Sequence, residues 1–155
     1  MNAQALVNDF MTTPVRSVVR ETPLQEAVEL MSYNHFSGLP VLDGAGKLVG
    51  ELSEQQLMVR ESGLDTGPYV MLLDAVIYLR NPLNWDRQVH QVVGGTVGDV
   101  MGNHPHTCAS GTPLTAAAKQ LNFNSTQRLF VLDGDSQVVG VLTRGDVVRA
   151  LAAQG

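Results

Sequence analysis

The chain repeats itself at a constant interval of 90 residues. The run Leu-Pro-Val-Leu-Asp-Gly at 39–44 recurs as Leu-Phe-Val-Leu-Asp-Gly at 129–134, and Leu-Val-Gly-Glu-Leu-Ser at 48–53 recurs as Val-Val-Gly-Val-Leu-Thr at 138–143. Seven single positions also recur: Val7, Asp9, Met11, Thr22, Pro23, Leu24 and Ala27 match Val97, Asp99, Met101, Thr112, Pro113, Leu114 and Ala117. Two copies are too few for a stacked solenoid. The duplication therefore predicts two similar units packed about a pseudo-twofold axis.

Each copy has the pattern of a β-α-β-β-α unit. A Thr-Pro pair starts the first helix at Thr22 and again at Thr112, with the proline at the first helical position. Apolar runs at 39–42 and 47–52 predict two strands joined by an Asp-Gly turn, and the second copy has the same runs at 128–132 and 137–142. We therefore predict a mixed α/β (α+β) fold with one repeat at 1–60, an insertion at 61–95 and a second repeat at 96–155.

The insertion carries apolar residues in two blocks. The block at 69–80 is too long for an ordinary strand and predicts a buried helix, and Asn84 can cap a second helix. We favour packing of this insertion on its own module. The alternative is that its apolar surface, with Trp85 and Tyr78 as anchors, joins two chains or docks a partner.

The junction between strand and helix at 138–146 is the strongest candidate site. Thr143 has the pattern of a helix N-cap, with Asp146 three residues later. Such a carboxylate can simply cap the helix, or it can accept hydrogen bonds from both hydroxyls of a ribose. The spacing alone favours capping. In the first copy Gln56 stands in place of Asp146, so the Ser53 cap is kept while the carboxylate is lost.

These motifs resemble the tandem CBS-domain module, also called a Bateman module. The resemblance is carried by Asp-x-Met at the start of each repeat, Thr-Pro-Leu, Leu-Pro-Val-Leu-Asp and Gly-Val-Leu-Thr-x-x-Asp, and it covers residues 6–60 and 96–151. It implies an adenosine-containing ligand bound in the cleft between the repeats and a regulatory role. Because Gln56 replaces the acid, we expect one competent site for each chain.

The resemblance also implies roles for particular residues. Thr143 and Asp146 would hold the ribose, His106 would contact the adenine, and Ser37 with Gly38 would complete the site.

Arginines are the candidate phosphate ligands, because guanidinium groups bind phosphates bidentately. Arg144 and Arg16 have this assignment, while Arg128, the counterpart of Gly38, would face the Gln56 side. The alternative for each arginine is a solvated surface charge.

The sequence contains no motif that is typical of an enzyme or of a metal site. We find no glycine-rich phosphate loop, nucleophile elbow or zinc motif, and we predict no enzyme. His104 and His106 have the spacing of two ligands on one strand, but no third ligand is evident, so we predict no metal. Asp133 and Asp135 fit turn geometry.

Charge and composition exclude other classes of function. The net charge of −5 lacks the basic surface that nucleic-acid binding needs. The apolar run at 69–79 is interrupted by Asp74 and is too short to cross a bilayer. We see no signal peptide, and the single cysteine, Cys108, fits a reducing cytoplasm.

We therefore predict a cytoplasmic sensor that requires no cofactor. It would bind AMP, ADP or ATP, ahead of S-adenosylmethionine or NAD, and modulate a partner protein as a homodimer. The rival hypothesis is a ligand-free scaffold for interaction or oligomerisation, in which Asp146 only caps its helix. A third hypothesis is a subunit that regulates a separately encoded enzyme.

Overall fold

The computed structural model describes residues 5–57 and 95–153. In chain order the elements are α1 (Val7–Phe10), β1 (Val18–Val19), α2 (Leu24–Asn34), β2 (Gly38–Leu42), β3 (Leu48–Ser53), a short 3-10 helix (Val97–Asp99), β4 (Thr107–Ala109), α3 (Leu114–Phe123), β5 (Arg128–Leu132), β6 (Val138–Thr143) and α4 (Arg144–Ala153). They include two three-stranded sheets, ordered β1-β2-β3 and β4-β5-β6. The predicted mixed α/β fold with two repeats is confirmed.

The chain divides into two compact units. Of the described residues, the first-repeat unit contains 17–45, 49–57 and 95–104, and the second-repeat unit contains 5–16, 46–48 and 105–153. Each unit therefore combines the later part of one repeat with the opening segment of the other repeat, which is 95–104 in the first-repeat unit and 5–16 in the second-repeat unit.

In the first-repeat unit, β1 runs parallel to β2, with Val18 opposite Val41. Strand β1 is short and contains only Val18 and Val19. Apolar side chains on one face of α2 are fully buried, as the helical spacing predicts: Leu24, Ala27, Val28 and Met31. Residues 54–57 are helical, directly after β3.

In the second-repeat unit, β5 pairs with β4 in parallel and with β6 in antiparallel orientation. The core combines residues from both ends of the chain: Ala5, Val7, Cys108, Leu114, Ala117, Leu121, Leu129, Val131, Leu142 and Ala150. Helix α4 does not bury all of its large apolar side chains, since Val148 is 63% and Leu151 48% exposed. It buries Asp146 and Ala150 instead.

The opening segment at the N-terminus supplies the start of α3 with hydrogen-bond partners. Leu114 N–H donates to the Ala5 carbonyl at 2.9 Å, and Val7 N–H donates to the Thr112 carbonyl at 2.9 Å. The first turn of a helix has N–H groups without an intrahelical acceptor, so this segment satisfies one of them.

The first-repeat unit uses the same arrangement at α2. Leu24 N–H donates to the Gly95 carbonyl at 2.8 Å, and Val97 N–H donates to the Thr22 carbonyl at 2.9 Å. Pro23 occupies the N-cap position without a side-chain cap, so the prediction that this proline takes the first helical position is wrong. The Thr22 hydroxyl instead accepts a hydrogen bond from Val19 N–H at 3.1 Å.

The two helices predicted in the insertion, at 69–80 and from Asn84, lie outside the described residues, as do Tyr78 and Trp85. Within 5–57 and 95–153, no helix has the length and apolar character needed to cross a membrane.

Candidate functional site

Asp146 lies in the first turn of α4, and its side chain is only 1% exposed. Its Oδ2 accepts a hydrogen bond from Thr143 N–H at 2.9 Å, while Asp146 N–H donates to Thr143 Oγ1 at 3.2 Å. This is the reciprocal capping box that the Thr-x-x-Asp spacing predicts. The carboxylate thus sits at the positive end of the helix dipole.

A second hydroxyl reaches the same carboxylate from the opening segment. Thr12 Oγ1 donates towards Asp146 Oδ1 at 3.0 Å and lies 3.2 Å from Oδ2. Backbone hydrogen bonds hold Thr12 in place: its N–H donates to the Val141 carbonyl at 2.8 Å, and Val141 N–H donates back at 3.1 Å. Sequence reasoning missed Thr12. The available signal was its position, directly after the Asp-x-Met motif.

Arg149 completes the surroundings of the carboxylate. Its guanidinium pairs with Asp146 Oδ1, three residues earlier on the same helix, and its side chain is 70% exposed. Both carboxylate oxygens therefore already have donors. A pair of sugar hydroxyls would have to displace the Arg149 guanidinium, which is 70% exposed, from Asp146 Oδ1.

The equivalent junction in the first-repeat unit has an amide instead of an acid. Gln56 Oε1 accepts hydrogen bonds from Ser53 N–H at 2.8 Å and from the Ser53 hydroxyl. Gln56 N–H lies 3.5 Å from Ser53 Oγ, which closes the Ser-x-x-Gln box. The cap predicted here is present, and the position carries no negative charge.

Of the other predicted site residues, three lie with Asp146 in the second-repeat unit near β4–β6. Arg144 donates from Nε to the Thr126 carbonyl at 2.8 Å and from Nη2 to the Leu121 carbonyl at 3.2 Å, so it fastens the end of α3. Arg128 is 5% exposed and lies opposite Thr143 in the sheet. His106 is half-buried.

The remaining predicted residues lie apart from this junction in the sequence. Arg16 is exposed and ends the opening segment of the second-repeat unit. Ser37 and Gly38 belong to the first-repeat unit, where Glu54 N–H donates to the Ser37 carbonyl at 3.1 Å and Gly38 begins β2. Their contribution to a ligand site stays a prediction.

Cys108 and the histidines complete the candidate chemistry. Cys108 is buried, and this burial raises the pKa of its thiol to about 11. His104 is exposed. Among the described residues, no three His, Cys, Asp or Glu side chains cluster in a way that could hold a metal ion.

Comparison with known protein families supports the same interpretation as the motifs. The model of the CBS domain matches this chain twice, at residues 7–62 and 97–153. The chain belongs to the CBS-domain family. Its two CBS repeats are the two copies found by the 90-residue interval.

Two relatives of this chain are CBS domain-containing proteins of a plant. The chain is 32% identical over 153 residues to the chloroplastic CBS domain-containing protein CBSX2 of Arabidopsis thaliana, covering 96% of this chain and 64% of the relative. It is 34% identical to the chloroplastic CBSX1 of the same plant, covering 93% of this chain and 63% of the relative. The chain therefore spans less than two thirds of the length of these two proteins.

A crystal structure of CBSX2 in complex with AMP resembles this CBS pair in three dimensions. The TM-score is 0.72 at 33% sequence identity, and the match covers 96% of this chain and 97% of that one.

Proposed function

We propose that this CBS pair is a regulatory module that binds an adenosyl ligand, AMP, ADP or ATP, through Asp146 of its second repeat. The observation that carries this proposal is the similarity to CBSX2, whose crystal structure contains AMP. The buried carboxylate at the N-terminus of α4 supplies the matching chemistry.

The carboxylate suits a ribose because it accepts hydrogen bonds and donates none. Two hydroxyls of a ribose can each donate to one oxygen of Asp146. Hydrogen bonds to an ionised acceptor are about twice as strong as neutral ones. The burial of Asp146 shields them from competing water, so this single group can contribute much of the selectivity for a sugar.

Calorimetric titration with AMP, ADP and ATP tests the proposal, with S-adenosylmethionine and NAD as comparison ligands. We expect one nucleotide for each chain. Asp146→Asn keeps an oxygen that can accept the Thr143 N–H but removes the charge, and it should weaken binding about ten- to a hundredfold. Asp135→Asn is the matched control, since this exposed residue lies in the turn at the opposite end of β6. Equal affinity in both variants would contradict the ribose role.

The second candidate function is a scaffold that binds no small ligand. The observation in its favour is that Thr12, Thr143 and Arg149 already contact both oxygens of Asp146. A thermal-shift screen with the five compounds separates the two functions, because any ligand that prefers the folded state raises the melting temperature. No shift with any compound would favour the scaffold.

The same proposal has two further parts. The module regulates a partner protein, for which a separately encoded enzyme is one candidate, and it assembles as a homodimer. Light scattering over a range of concentrations tests the homodimer, and co-purification with and without AMP tests the partner. The proposed cytoplasmic location rests on the single buried cysteine.

A further inference from the structure

We infer that Thr12 and Asp146 form one functional pair in the second-repeat unit. Gly102 and Gln56 occupy the two equivalent positions in the first-repeat unit, where both residues of the pair have been replaced. On this inference Thr12 is a positioning residue, which holds the carboxylate for the ligand. This inference rests on the proposed function. It adds the reason why the second repeat can bind a nucleotide and the first repeat cannot.

Residues 12 and 102 occupy equivalent places. In the first-repeat unit, Gly102 N–H donates to the Glu51 carbonyl at 2.8 Å, and Glu51 N–H donates to the Gly102 carbonyl at 3.0 Å. Thr12 makes the same reciprocal pair with Val141 in the second-repeat unit. The backbone therefore presents each residue to the cap of the helix that follows the same strand.

The side chains at the two places are complementary in size. A Cβ atom added to Gly102 would lie 2.7 Å from Gln56 Nε2, so the end of the flexible Gln56 side chain would have to move. The longer glutamine thus fills the space that a side chain at position 102 would need. In the second-repeat unit the shorter aspartate leaves room for Thr12, whose hydroxyl bonds to it.

The two pairs offer opposite hydrogen-bonding groups. The Gln56 oxygen is taken up by the Ser53 N–H and hydroxyl, so the amide NH2 is the group directed at Gly102. The Asp146 carboxylate offers charged acceptors, with the proton of Thr12 shared between its two oxygens. A sugar diol that donates to a carboxylate therefore finds its partner in the second repeat.

Exchange of the pairs tests the inference. The double substitution Gln56→Asp and Gly102→Thr should give the chain a second AMP site in calorimetry, raising the stoichiometry from one to two. Gly102→Thr alone should displace the Gln56 amide and add no site. A double variant that still binds one AMP would overturn the inference while leaving the proposed function intact.

The reverse exchange covers the case in which the first variant does not fold. Thr12→Gly with Asp146→Gln introduces a combination that the chain already uses, so it should fold and lose AMP binding. Parent protein that binds none of AMP, ADP and ATP would instead overturn the proposed function itself.

Single substitutions at Thr12 separate positioning from a purely structural role. Thr12→Val removes the hydroxyl at nearly constant volume and should weaken AMP binding about tenfold or more. Thr12→Ser keeps the hydroxyl and should restore affinity close to that of the parent, whatever happens to the melting temperature. Equal AMP affinity in the valine and serine variants would overturn the positioning role.

Discussion

At the scale of single residues, Cys108 shows how strongly the core of the second-repeat unit excludes water. The thiol packs among the apolar residues of that core, and burial raises its pKa to about 11. Only the thiolate reacts with disulfides and maleimides, so a raised pKa together with burial makes the group slow to react. Cys108 is therefore a natural reporter for opening of this unit.

The raised pKa predicts the pH dependence of labelling. In the folded chain, reaction of Cys108 with a disulfide reagent should be slow at pH 8 and should increase up to about pH 11. The neutral thiol is favoured in the folded state, so its stabilising effect is complete below the ordinary thiol pKa and is lost as the pH rises towards 11. The control is the chain in urea, where labelling should level off at the ordinary thiol pKa. Identical profiles in both states would contradict the burial argument.

At the scale of secondary-structure elements, Met11 packs against β6 where that strand has a glycine. A Cβ atom at Gly140 would lie 2.3 Å from Met11 Sδ and 2.8 Å from its Cγ. The backbone pair between Thr12 and Val141 limits how far the opening segment can retreat. The glycine is thus required by close approach of a neighbouring side chain.

Gly140→Ala should lower the free energy of unfolding by about 1–3 kcal/mol, because it overpacks this contact. Urea denaturation followed by circular dichroism measures the change. Gly134→Ala is the matched control, since the space around a Cβ atom there is open. In a Met11→Ala background the effect of Gly140→Ala should shrink. A loss of the same size in both backgrounds would show that Met11 is not the cause.

Sequence reasoning worked where local pattern and burial coincide. The spacing of Leu24, Ala27, Val28 and Met31 predicts the buried face of α2, and the Thr-x-x-Asp and Ser-x-x-Gln caps form as expected. It failed where distant segments decide. The opening segments take over the N-terminal N–H groups of α2 and α3, and Thr12 reaches Asp146 across 134 residues of sequence. No local spacing encodes such contacts.

At the scale of the whole molecule, the core of each unit depends on the opening segment of the other repeat. Val7 is fully buried in the core around Cys108, although it lies 101 residues earlier in the chain. Val97, its counterpart, is closer to Cys108 in sequence but is fully buried in the other core, with Leu24 and Met31. Stability of the second-repeat unit should therefore respond to Val7.

A matched pair of substitutions tests this exchange. Val7→Ala removes buried methyl groups and should destabilise the second-repeat unit by about 1–3 kcal/mol, raising the labelling rate of Cys108 about five- to a hundredfold. Val97→Ala removes the same groups from the first-repeat unit and should change that rate much less. Labelling under native conditions at fixed pH measures both, with far-ultraviolet circular dichroism to show that the variants remain folded. A larger acceleration from Val97→Ala would mean that the core around Cys108 is built from neighbouring sequence, and the exchanged arrangement would be wrong.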